Sequence, residues 1–226
     1  MAVTTDEDSR MAARRDEMVE EQLVRRGIAD QRLLAAMRAL PRHCFVEPAL
    51  RHLAYEDRPL PIGGEQTISQ PFMVARVTEL AAPRPTDRAL EVGTGCGYQL
   101  ALLAQLCAEA WGIELLPALA ERARATLAAL GVTNATVASF DGSGGWEQHA
   151  PYDVIIVSAA APRIPSLLVA QLAEGGRLVV PVGGPDEQQL ARVRRSGDSY
   201  ETTFDTRCRY VNLLGRYGFG RTPPLA

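Results

Sequence analysis

Residues 88–98 read R-A-L-E-V-G-T-G-C-G-Y. A short apolar run containing an acid, Leu90-Glu91-Val92, gives way to glycines at alternate positions, Gly93, Gly95 and Gly97. The run has the composition of a buried strand, and glycine belongs where the backbone must take φ > 0 or lie against a ligand. Behind the loop, Leu100, Leu102, Leu103, Leu106 and Cys107 follow helical spacing. Strand, glycine loop and helix in that order place a nucleotide-like ligand at the carboxyl end of the strand of an open α/β sheet. For the glycines alone, a turn that merely lets a helix pack on a strand is the competing explanation.

The kind of ligand follows from spacing and charge. Dinucleotide sites use G-x-G-x-x-G and set phosphates on the helix N-terminus. Here the spacing is G-x-G-x-G, with Tyr98 where the third glycine of that pattern would fall. Glu91 lies two residues before the first glycine, where its carboxylate repels a pyrophosphate and attracts a cation. S-adenosylmethionine, which has no phosphate and carries an ammonium and a sulfonium, fits better. The segment A-E-A-W-G-I-E at 108–114 reads as the next strand with Glu114 at its tip. That is the ~20-residue offset at which an acid meets ribose hydroxyls, an offset that does not by itself separate NAD from S-adenosylmethionine.

The chain of 226 residues is 46% hydrophobic and has a net charge of -3, which describes a globular protein with a sizeable core. That charge argues against a nucleic-acid partner held by a basic face. All 24 basic residues are arginine. The absence of lysine excludes a P-loop lysine and a pyridoxal phosphate Schiff base. Cys44, Cys96, Cys107 and Cys208 show no C-x-x-C spacing, and His43, His52 and His149 form no H-E-x-x-H pattern, so no metal is expected. No apolar run has signal-peptide or membrane-span length, so no membrane partner and a cytoplasmic location with free thiols are expected.

In chain order, residues 1–9 are small and acidic and are expected to be a disordered tail, leaving a single domain over 10–226. Within it, 10–54 reads as a helical addition, with Gly27 as one helix stop and Asp30 as the next helix cap. Residues 55–86 read as a long Pro- and Gly-rich loop and a helix, with Ser69 at the N-cap position and Pro71 in the first turn. Residues 87–226 hold the nucleotide-binding core, where helices alternate with strands near 136–139, 153–157 and 176–182, predicting a mostly parallel, doubly wound sheet. An antiparallel strand pair turning at Ser196-Gly197 ends it.

Several of these segments together resemble the protein-L-isoaspartate (D-aspartate) O-methyltransferases, whose fold is the Rossmann-like class I methyltransferase fold. The likeness spans 18–218 and rests on P-R-H-C-F-V before the loop, P-I-G-G-E-Q-T-I-S-Q-P at 61–71, L-E-V-G-T-G-C-G-Y at 90–98, D-G-S-G-G-W at 141–146 and E-G-G-R-L-V-V-P-V-G at 174–183. The glycine loop is common to many methyltransferases, whereas Q-T-I-S-Q-P is much narrower. The resemblance implies methyl transfer from S-adenosylmethionine to the carboxylate of an isoaspartyl residue in a damaged protein or peptide, followed by succinimide formation. It assigns Ser69 to the active-site serine that orients the acceptor carboxylate, although an N-cap role alone would also explain a serine there. It assigns Gln66, Thr67 and Ile68 to the methionine end of the cofactor, Thr94 and the glycines to its backbone cradle, and Glu114 to the ribose. Asp141 with Gly142 falls at the adenine edge, where a turn-forming aspartate is the plain alternative.

The sequence departs from the family at Glu65 (usually glycine), Cys96 (commonly serine), Phe140 (glycine) and Asn212 (proline). Glu65 and Asn212 fall in segments that border the peptide substrate. Two alternatives stay open at this point: a tailoring methyltransferase for one dedicated peptide, and a non-enzymatic nucleotide-binding module.

Overall fold

The computed structural model describes residues 6–184 and 186–220. Its centre is a seven-stranded sheet in the order β5-β4-β3-β6-β7-β8-β9. The strands are β3 (Arg88–Val92), β4 (Glu109–Glu114), β5 (Ala135–Ser139), β6 (Tyr152–Val157), β7 (Leu172–Gly183), β8 (Gln188–Ser196) and β9 (Ser199–Cys208). From β5 to β7 neighbouring strands are parallel, while β8 and β9 pair antiparallel as the expected terminal hairpin. Strand order reverses at β3, whose neighbours are β4 and β6, so a crevice opens at the carboxyl ends of β3 and β6.

Alternating side chains divide the core. On β6, Val154 and Ile156 face the cluster formed by the helical part of the chain, whereas Ile155 and Val157 join Trp111, Tyr152 and Leu168 on the other face. The first face is covered by α3 (Pro71–Ala81), α4 (Tyr98–Leu106) and α5 (Pro117–Ala129), with the N-terminal helices packed outside; the second carries α6 (Ser166–Ala170) and short 3₁₀ turns. A buried ion pair, Arg177 to Asp87 at 2.7 Å, ties β7 to the start of β3, and Arg177 also donates to the carbonyls of Ala81 and Ala82 at the end of α3.

The N-terminal addition is helical as expected, with a revised start. Helix α1 (Asp6–Glu17) begins ahead of the predicted boundary at Arg10, so residues 6–9 belong to it; residues 1–5 of the anticipated tail lie outside the described residues. It continues through a π-helical turn, Met18–Leu23, to Gly27 in the left-handed conformation. Asp30 caps α2 (Gln31–Ala39) by accepting from the Arg32 and Leu33 N–H groups. The segment read as loop contains a small hairpin, β1 (Leu60–Gly63) with β2 (Gln66–Ile68). No helix among the described residues is long and apolar enough to cross a membrane.

Candidate functional site

The glycine loop behaves as its spacing demands. Gly93, Gly95 and Gly97 have φ of 83°, 55° and 91°. The N–H groups of Gly93 and Thr94 donate to the Ile113 carbonyl, which anchors the loop to the tip of β4. The β1–β2 hairpin lies over it so closely that a Cβ at Gly95 would sit 3.0 Å from Ile62 Cδ1.

Two acids sit where the loop meets the sheet. Glu114 Oε2 accepts from Gly95 N–H at 2.7 Å and Oε1 from Leu116 N–H at 2.9 Å, joining the loops that follow β3 and β4. Burial pushes this carboxyl up and the backbone donors pull it back. Each of its oxygens keeps a second lone pair for a vicinal hydroxyl. Glu91 is 1% exposed, and burial pushes its carboxyl up to about 8 against the opposing hydrogen bond from Ser158. Ser158 Oγ, just past β6, donates to Glu91 Oε1 at 2.6 Å, while Oε2 has no partner. Thr94 Oγ1, lining the same cleft, is likewise unpartnered, so Glu91 and Thr94 present polar atoms to a ligand lying on the loop.

Three clefts run into one another, and Thr67 and Ser158 line all of them. The first lies between Glu114, Gly142 and the hairpin. The second lies behind the glycine loop, where Glu91, Thr94 and Tyr98 meet Ile68 and Ser69. Ser69 also faces the third, together with Gln70, Arg209 and Tyr210. This third cleft leads to a wide groove that includes Glu65, Gln66, Asn212 and Leu214. Glu114, Gln66, Thr67, Ile68, Gly93, Thr94 and Gly95 thus converge on one channel that passes Ser69 and opens to solvent, whereas Gly97 lines none of these clefts and packs against Ala123 of α5.

Ser69 is not the cap of α3. That position is Gln70, which makes no side-chain capping bond; Asp57 instead accepts from Phe72 N–H at 3.2 Å. Ser69 is held through its backbone, its carbonyl accepting from Arg42 Nη2 at 2.7 Å. Arg42 is fully buried, donates through Nε to the Ala54 carbonyl and lies over the Tyr98 ring. Capping therefore no longer accounts for the serine, which lines the second and third clefts.

The other assigned residues are placed more variously. Asp141 caps the 3₁₀ turn Gly142–Gly144; Oδ1 accepts from the N–H and Oγ of Ser143, and Oδ2 from Arg216 N–H. Burial raises its carboxyl, and these bonds outweigh burial to leave it below the usual range. Gly142 lines the first cleft. Asn212 bridges to Ala160 beside β6 and lines both the first cleft and the outer groove. Glu65 is exposed in the hairpin turn with φ of 58°, the left-handed conformation that favours glycine. Arg58, a conceivable partner for it, pairs with Glu56, whereas Arg209 lines the same groove as Glu65. Ser158, Arg42, Asp57 and Tyr210 carried no sequence signal, because each matters through a neighbour distant along the chain.

Comparison with known proteins points to one family. The model of the Protein-L-isoaspartate(D-aspartate) O-methyltransferase family matches residues 13–218. The protein-L-isoaspartate O-methyltransferase of Methanoculleus marisnigri is 52% identical, covering 91% of this chain and 93% of the relative. That of Geobacter metallireducens is 49% identical, covering 91% and 96%. Among solved structures, a protein-L-isoaspartate O-methyltransferase superposes with a TM-score of 0.80 at 26% identity over 90% of this chain and 67% of its own. A Plasmodium falciparum structure in complex with S-adenosyl-L-homocysteine shares the fold, with a TM-score of 0.77 at 24% identity over 88% and 98%.

Proposed function

The chain belongs to the protein-L-isoaspartate (D-aspartate) O-methyltransferase family, and on that premise we propose that the channel past Ser69 is where it methylates the free carboxylate of isoaspartyl residues in damaged proteins and peptides. The enzyme is an S-adenosylmethionine-dependent methyltransferase. When bound, the cofactor supplies a methyl group on a cationic sulfur, whose S–C bond breaks as the acceptor oxygen forms the new O–C bond. In this assignment Glu114 takes the ribose hydroxyls, Gly142 and Asp141 border the adenine, and Gln66, Thr67 and Ile68 enclose the methionine end. Glu91 faces the positive charge there.

Little acid–base chemistry is asked of the chain. An acceptor carboxyl with a pKa near ~4 is already ionised at neutral pH. The residues instead hold that oxygen in line and exclude water. Ser69 supplies the hydroxyl that donates to the acceptor carboxylate. The observation that carries this role is the release of Ser69 from helix capping, with Asp57 in its place. Replacing Ser69 by Ala should lower kcat/KM for an isoaspartyl peptide at least ~10-fold, while S-adenosylhomocysteine affinity and melting temperature change little. Unchanged turnover in the folded variant would remove Ser69 from the reaction.

General repair is favoured over a single dedicated peptide because Glu65 is exposed and shares its groove with Arg209. With water around it, a carboxylate ~6 Å from an incoming carboxylate opposes it by only about 0.7 kcal/mol. The cytoplasm is the proposed place of action, where thiols such as Cys96 and Cys107 stay reduced.

A further inference from the structure

The Ser69 hydroxyl needs something to aim it. A serine hydroxyl is a free rotor until an acceptor or donor fixes it. Neither usual partner is available, because Asp57 caps α3 and Arg42 holds the Ser69 backbone carbonyl rather than its side chain. Tyr210 lines both the second and the third cleft together with Ser69.

Tyr210 is well fixed for this. Its N–H donates to Gln188 Oε1 at 2.8 Å, and Gln188 is 2% exposed, with Nε2 bound to the Gly184 carbonyl. Tyr210 is half-buried, and desolvation pushes its phenol far above the ordinary range against a hydrogen bond it shares with the Ser69 hydroxyl. It therefore stays protonated at every working pH and can act as a neutral donor.

We propose that Tyr210 is a positioning residue for the acceptor: its phenol donates to Ser69 Oγ, which leaves the Ser69 O–H as the single proton free to turn toward the carboxylate in the third cleft. The pair forms a relay of two hydroxyls, in which Tyr210 sets the direction and Ser69 makes the contact. Arg209, adjacent in the chain and lining the same cleft, adds a positive charge that favours the carboxylate. This proposal rests on the isoaspartyl methyltransferase function.

The test is a double-mutant cycle on an isoaspartyl peptide, with Tyr210→Phe, Ser69→Ala and both together. Phe keeps the ring and removes only the hydroxyl. Tyr210→Phe should lower kcat/KM about tenfold, and the double variant should be no worse than Ser69→Ala alone, since Tyr210 acts through the serine. S-adenosylhomocysteine affinity by titration calorimetry should stay within about threefold in all of them, a readout that general loosening of the fold would move. Tyr210→Phe within twofold of wild type, or a double variant whose loss is the product of the two single losses, would overturn the proposal. Wild-type turnover on the same peptide reports separately on the isoaspartyl function, so a silent wild type and a silent substitution are distinct results.

Discussion

Replacing Glu91 by Gln should make the ligand-free enzyme more stable and its cofactor site worse. Glu91 is 1% exposed with Oε2 unpaired, and its carboxyl is pushed up to about 8, first by burial. An acid whose folded pKa lies above its unfolded value binds more protons when folded, so its effect on stability is least unfavourable below pH 4.5 and worsens as pH rises toward 8. At 1.36 kcal/mol per unit, the deficit at pH 7 is about 3 kcal/mol, and at pH 5 it is under about 1 kcal/mol. Glutamine keeps an oxygen for the Ser158 hydroxyl and has no charge to desolvate. Urea unfolding of both proteins without ligand should therefore show Glu91→Gln ahead by about 3 kcal/mol near neutrality, with the difference shrinking toward pH 5. Titration calorimetry should show the reverse for S-adenosylhomocysteine, whose ammonium loses its partner, at about 1.5–3 kcal/mol. Wild-type affinity should also fall as pH drops from 8 to 6, because the carboxyl must give up its proton to meet the ammonium. A Glu91→Gln variant that is no more stable than wild type at pH 7, or affinity that is flat with pH, would refute the assignment of Glu91 as a cation partner kept at the expense of stability.

Two further substitutions probe the rest of the channel. Glu114→Ala should weaken S-adenosylhomocysteine binding by about 1.5–3 kcal/mol, measured by calorimetry, because charge-assisted bonds to the ribose go and the Gly95 N–H loses its acceptor. Glu65→Gly should raise stability by about 0.5 kcal/mol in urea unfolding, since relief of about 1–2 kcal/mol of left-handed strain is partly cancelled by a freer unfolded chain. Its activity on a neutral isoaspartyl peptide should match wild type; activity present only in Glu65→Gly would point to a dedicated acceptor carrying a compensating positive charge.

Legibility in the sequence follows the range of each interaction. The glycine loop, the helix stop at Gly27 and the Asp30 cap are local, and the expected and observed positions agree. The terminal hairpin is local too, turning between Ser196 and Ser199. The β1–β2 hairpin went unread because its strands span only Leu60–Gly63 and Gln66–Ile68, too short for alternation to show among prolines and glycines. Ser69 looked like a helix cap because a serine before Gln-Pro fits the pattern, yet Asp57 fills that place from the preceding loop. Ser158 acquires its meaning only from strand order, since β6 is the parallel neighbour of β3 and brings Oγ to Glu91. Tyr210 likewise meets Ser69 only once the segment after β9 folds back beside β6.

The most direct measurement is methyl transfer from S-adenosylmethionine to two short neutral peptides that differ only in one linkage, an isoaspartyl bond in one and an ordinary aspartyl bond in the other, with product located by mass spectrometry. The isoaspartyl peptide should gain one methyl ester at the free carboxylate beside the altered bond, and the aspartyl peptide should gain none at matched enzyme and time. Equal methylation of both peptides, or of neither while S-adenosylhomocysteine still binds, would contradict the account.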